Sequence, residues 1–249
     1  VPGTPFAFCV EFSRAAAGLQ NPRPRPRFGH NALLVRNAID GTATVYNYGM
    51  FDFGAADFWP RFMKGDMRYW MQGGMVRLEL PFYFQSNRTV WAQELDLEPE
   101  QRLKIERFLE WNALPEKKYY HYDYFRDNCS TRVRDVVDRV IGGAIRAQTE
   151  EIPAGTSFRG ETRRLTESSL PVYVGIELGL ARPTDEPISR YEEMFLPMAL
   201  HRYLRDITVT GADGKTHPLV KSERTLFEAR RTAREGQKSQ LDAQIGQGS

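Results

Sequence analysis

Apolar and polar residues alternate with period two from Pro5 to Ser13, where Phe6, Phe8, Val10 and Phe12 oppose Ala7, Cys9 and Glu11. That rhythm predicts a half-buried strand. Residues 28–36 leave a loop and become a second strand, and Thr42 to Phe53 form a third after a turn at Asp40-Gly41. A hairpin of these two would bring Asn47 or a flanking tyrosine near His30. Met67 to Gln72, Val76 to Phe84 and Arg88 to Leu95 read as further strands, rich in aromatics and separated by Gly73-Gly74 and Ser86-Asn87. Together they predict one antiparallel sheet. Asp57 to Lys64 reads as a short helix.

The period then lengthens. Glu98-Pro99-Glu100-Gln101 opens a helix with proline in its first turn, and Leu103, Phe108, Leu109 and Trp111 are its expected inner face. The sharpest helical signal follows an aromatic strand or turn, Tyr119 to Phe125. Asp127 and Asn128 are N-cap types, Val133, Val136, Val137, Val140 and Ile141 recur at helical spacing, and Gly142-Gly143 ends the pattern. This predicts a helix over 128–141 with one buried face. Ser157 to Ser168, Leu170 to Leu180 and Ile188 to Asp206 read as helices, the last interrupted near Pro197. Met194, Phe195, Leu196, Met198, Leu200 and Leu204 read as core rather than lipid contacts. Ile207 to Thr210 and His217 to Val220 flank Gly211 to Gly214 as a hairpin. From Ser222 on the chain is charged and poor in apolar residues, which predicts a lone surface helix or disorder. The fold class is α+β, an antiparallel sheet with packed helices. Residues 1–210 read as one domain and 211–249 as a terminal hairpin and charged tail.

Composition narrows the function. The 249 residues, 41% hydrophobic, suffice for one large domain or two small ones. A net charge of +2 gives no whole-chain case for nucleic acid. Only Arg23, Arg25 and Arg27, interleaved with Pro22, Pro24 and Pro26, speak for a polyanion. They read as an extended, solvated loop that could also touch acidic lipid headgroups. No apolar run approaches the ~18–20 residues of a membrane span. No signal peptide opens the sequence, which predicts a cytoplasmic protein or a trimmed form of an exported one. His30, His121, His201 and His217 are scattered, with no metal-ligand spacing and no glycine-rich phosphate loop, so neither metal nor cofactor is expected.

The candidate chemistry lies at Cys129. In the first turn of the 128–141 helix it meets unpaired N–H groups and the positive end of the helix dipole. Both favour thiolate over thiol, and the same N–H groups suit an oxyanion. His30 becomes a candidate base, with Asn47, or Tyr46 or Tyr48, as the group that orients it. Tyr124, Asp127 and Asn128, near the thiol in sequence, are candidate helpers of the Cys129 N–H at the oxyanion, and Arg132 could meet an anionic substrate group. Against this stands a packing role for Cys129 as a small buried residue, or a Cys9–Cys129 bridge that would silence it.

Three blocks, Phe28-Gly29-His30-Asn31-Ala32, Tyr46 to Phe53 and Asp127 to Asp135, resemble the Lnb N-terminal periplasmic domain family, as do Arg88-Thr89-Val90 with Gln93, Leu95 and Leu97, and Phe195-Leu196-Pro197. The resemblance covers residues 28 to 206. It implies a bacterial protein of the cell envelope, with a lipid or lipoprotein substrate at the membrane surface and no nucleic acid. Some members are lipoprotein intramolecular transacylases, which move an acyl chain from the diacylglyceryl group to the N-terminal amine. The order of His before Cys also resembles circularly permuted, papain-related (NlpC-like) thiol enzymes, including the lecithin:retinol acyltransferase type. The expectation is a cysteine-dependent acyl transferase or hydrolase using Cys129, His30 and Asn47. A peptidase or amidase of envelope peptides shares that chemistry, and a non-catalytic envelope binding module is the contrasting class.

Overall fold

The structure, a computed structural model, describes residues 6–12 (backbone), 29–38, 40–52, 54, 60–61, 66–166, 174, 180 and 182–230. The strands are β1 Phe6–Phe12, β2 His30–Arg36, β3 Ala43–Met50, β4 Arg68–Met75, β5 Val90–Leu95, β6 Tyr119–His121, β7 Pro153–Ser157, β8 Pro187–Ser189, β9 Thr208–Thr210, β10 Thr216–Pro218 and β11 Val220–Phe227. The helices are α1 Val76–Gln85, α2 Pro99–Asn112, α3 Cys129–Val140, α4 Ala144–Thr149, α5 Phe158–Thr166, α6 Arg190–Glu193 and α7 Pro197–Leu204. The predicted loop at Gly18 to Arg27 lies outside the described residues. So do the helices expected at Asp57 to Lys64 and Leu170 to Leu180, apart from Pro60, Arg61 and Val174, which are helical, and Leu180, which is not.

The main sheet is antiparallel, in the order β11-β5-β1-β2-β3-β4-β6. The α+β architecture follows. β2 sits centrally, with Ala32 opposite Val10 on one side and Asn47 on the other. Strand alternation then sorts its side chains. Leu33 and Val35 join the large front cluster, which also takes Tyr46, Tyr48, Val133, Val137, Phe195 and Leu200. Ala32 and Leu34 join a small back cluster with Val45, Val90 and Ala92. Helix α3 lays Val133, Val136 and Val137 on the front face, and Gly142 and Gly143, both at positive φ, end it. The helix at 99–112 is present, but its buried residues are Ile105, Leu109 and Asn112, while Leu103 and Trp111 are exposed.

Two segments depart from expectation. Val76 to Phe84 is helix α1, not a strand. Its apolar residues at 76, 78, 80, 82 and 84 alternate, yet its half-buried residues are Val76, Glu79, Leu80, Tyr83 and Phe84, a helical stripe. Both edges of β4 and of β5 are already paired, to β3 and β6 and to β1 and β11, so no strand position remains beside either of the strands that α1 connects. Ser222 to Phe227 belongs to strand β11, paired with β5, rather than to a helix or a disordered tail. Its pairing is backbone hydrogen bonding, which a charged edge strand makes without an apolar face. Elsewhere the helices agree with expectation: that at 157–168 is present as α5 over its described residues, and that at 188–206 is interrupted at Met194 to Leu196, before Pro197, which divides it into α6 and α7 after a short start in β8. The stripe from 194 to 204 is core except for Met198, which is 54% exposed.

Candidate active site

Asn128 starts α3. Its Oδ1 accepts from the N–H groups of Ser130 (2.8 Å) and Thr131 (3.0 Å), and Thr131 Oγ1 accepts from the Asn128 N–H (2.8 Å). The Arg132 N–H donates to the Asn128 carbonyl. Three of the first four amides of the helix are thus taken, and none of these bonds engages that of Cys129. Asn128 Nδ2 also donates to the Tyr124 and Phe195 carbonyls, both at 2.8 Å, which ties the start of α3 to the loop before α7. Cys129, first residue of the helix, is half-buried and a free thiol, not bridged to Cys9.

His30 opens β2 and projects with the back-face residues Ala32 and Leu34, whereas α3 lies on the front. Thiol and imidazole meet at the end of the sheet. There the β3–β4 register slips between Asn47 and Met50, and Gly49 adopts φ +90°. A side chain at Gly49 would be strained by that φ and would start 3.8 Å from Cys129 Cβ. Asn47, opposite Ala32, is the diagonal neighbour of His30 on the same face. His30 Nε2 donates to Asn47 Oδ1 at 3.0 Å, so its other ring nitrogen is left for the thiol, to which His30 is also hydrogen-bonded.

The electrostatics follow from this contact. Burial pushes the Cys129 thiol up, but the His30 charge and hydrogen bond, the Asn31 N–H and the Ser130 side chain together hold it below its ordinary value. Burial pulls His30 down, but the Cys129 charge and hydrogen bond and the Asn47 contact leave it raised. Each group favours the charged form of the other, the condition for a thiolate–imidazolium pair.

The other candidates from the sequence are engaged elsewhere. Tyr48 is buried on the front face and donates to Asn112 Oδ1 at 2.8 Å, and Tyr46 is buried in the same cluster. Neither orients His30. Asp127 accepts both arms of Arg132, at 2.6 and 2.7 Å, and the guanidinium lies 3.8 Å from the Tyr120 ring centroid. Arg132 therefore braces the start of α3. Tyr124 stays close: burial first, then the Cys129 charge, raises its pKa, and the same holds for Tyr120 and Tyr122.

Sequence reasoning missed several residues. Asn31 is fully buried, its N–H meets the sulfur, and its Oδ1 accepts from Ser130 Oγ at 2.6 Å. Gly49 and the buried Arg88, whose charge is felt by both His30 and Cys129, were also missed. All three stand inside the motif blocks, but membership of a block does not reveal a role. Among the described residues, no group of three or more His, Cys, Asp or Glu side chains could hold a metal ion.

Sheet, capped helix and thiol–imidazole contact define an α+β domain with a cysteine–histidine pair at one end of its sheet. Residues 17–165, more than half of the chain, match the Lnb N-terminal periplasmic domain, and the chain belongs to that family. It is therefore an envelope-associated protein. No curated protein and no solved structure matches it. No helix among the described residues is long and apolar enough to cross a membrane.

Proposed function

We propose that this domain is a cysteine-dependent acyl transferase of the bacterial cell envelope, built on a permuted papain-like arrangement and acting on a lipid or lipoprotein. The observation that carries the reading is the chain of contacts Asn47–His30–Cys129 at the first turn of a capped helix. The Cys129 thiolate attacks an acyl ester carbonyl, and the C–S bond forms as the carbonyl electrons move to oxygen. The Cys129 N–H donates to that oxyanion, a contact of the kind worth about 10²–10³ in rate. On collapse the C–O bond breaks and the His30 imidazolium protonates the departing alcohol, leaving a thioester. His30, now neutral, takes a proton from an amine acceptor, which displaces the thiolate and completes the transfer. Asn47 keeps the imidazole in the tautomer and orientation these steps need.

The test is incubation with a diacylated lipopeptide. The position of each acyl chain is mapped by fragmentation, because an intramolecular shift leaves the mass unchanged. Wild type relocates a chain and Cys129→Ala does not. Relocation by a well-folded Cys129→Ala protein would refute the proposal. Acyl release to water, or cleavage of peptidoglycan fragments instead, would replace transfer by hydrolysis with the same residues.

A further inference from the structure

A second feature lies beside this pair. A cavity of about 340 Å³ opens between α5 and α7, at the small end of the range of roughly 300–1,000 Å³ usual for ligand sites. Its apolar wall is Leu165, Leu196, Pro197 and Met198, and Gly29 closes one side. Gly29 directly precedes His30. Leu196 follows Phe195, whose carbonyl is held at 2.8 Å by Asn128, the residue before Cys129. Two walls of the cavity are thus fastened to the two residues of the candidate pair.

The charges around the cavity form pairs. Arg164 donates to Glu161 Oε2 at 2.9 and 2.6 Å, and Arg202 Nη2 donates to both Glu193 oxygens at 3.1 Å. With the two lining carboxylates matched by two guanidiniums, the cavity has no excess charge to recruit an ion. What it offers is apolar surface, and Met198 leaves that surface unusually open, since it is 54% exposed in an otherwise buried stripe. Met is also the side chain that adapts most readily to a flexible apolar guest.

We infer that this cavity seats the hydrocarbon chain of the acyl donor, with Met198 and Leu165 setting the chain length it accepts. The inference rests on the acyl-transfer reading for its role in turnover, but the seat itself can be assayed without chemistry. The first experiment uses cis-parinaric acid, a fluorescent fatty acid, with Cys129→Ala protein. Saturable binding is expected, weakened at least about tenfold by Met198→Trp and by Leu165→Trp, since each buried methylene lost from contact weakens binding several-fold. Met198 is exposed, so its replacement leaves the core untouched, and Leu165→Trp fills the cavity from the opposite side. No saturable binding, or binding that neither tryptophan weakens, would overturn the inference.

The second experiment follows acylation of Cys129 by p-nitrophenyl acetate and octanoate, read by intact mass. Octanoate is expected to react faster than acetate, and Met198→Trp to lower the octanoate-to-acetate rate ratio. Acylation by both esters with a preference unchanged by either tryptophan refutes the chain seat and leaves the thiol chemistry standing. Parinaric acid binding without acylation by any ester refutes the thiol chemistry and leaves the seat standing.

Discussion

Among the described residues, the two faces of the sheet are unequally covered. On the front, α3 and α7 with their neighbours bury a continuous cluster that includes Tyr48, Phe195, Leu200 and Leu204. On the back, among the described residues, α1 buries no residue fully, its Leu78 and Phe82 are 69% and 65% exposed, and the buried cluster is five side chains of the sheet. The candidate pair takes one member from each side, Cys129 from the front helix and His30 from the back-facing register of β2. A rigid front holds the thiol, while the imidazole depends on Asn47 and on the strand itself. The difference predicts which changes cost chemistry and which cost stability.

The largest effect is expected for Cys129→Ala, which removes every covalent acyl adduct while the melting temperature barely moves; intact mass and calorimetry check both. His30→Ala comes next. Because His30 lowers the Cys129 pKa, wild-type alkylation rises with pH about a midpoint below the free-thiol value of ~8.5. Loss of His30 moves that midpoint up, so the thiolate present at lower pH disappears, and acyl transfer falls by roughly 10²–10⁴. Iodoacetamide rates against pH give the shift. Asn47→Ala removes the hydrogen bond that also raises His30, and a loss of roughly 10–10² in transfer is expected, as for one bond to a charged group of ~1.5–3 kcal/mol.

The smaller effects are on stability. Asn128→Ala strips the α3 cap and is expected to cost about 1–2 kcal/mol in denaturant unfolding. On the back face, Leu78→Ser or Phe82→Ser should stay within ~0.5 kcal/mol of wild type. A loss of several kcal/mol there would mean that α1 is covered rather than open.

The same asymmetry explains what was legible in the sequence. The valines of α3 repeat at 3.6 residues because one face meets a deep core, and Asn128 and Gly142-Gly143 punctuate that helix at both ends. The turn at Gly41 fixed the β2–β3 hairpin, and with it the meeting of His30 and Asn47. Helix α1 misled because residues 76, 80 and 84 satisfy period two and period 3.6 alike, and a thinly covered face exerts little pressure on 78 and 82. Strand β11 was hidden for a related reason. Its side chains from Lys221 to Thr225 are exposed, so hydropathy carries no trace of a backbone that pairs with β5. Asn31 and Gly49 act through a main-chain N–H and a main-chain dihedral angle, and neither leaves a pattern in residue type.

The place of β5 has a consequence in time. Its Ala92 pairs with Val10 on one side and Arg224 on the other, so the strand is bracketed by the first and last strands of the described chain. The paired residues lie far apart in sequence, and contacts of high separation form slowly. A growing polypeptide would carry β5 with an open edge until β11 had been made, and an open edge invites pairing with other chains. Completion of the sheet therefore waits on β11, which protects the young protein from self-association.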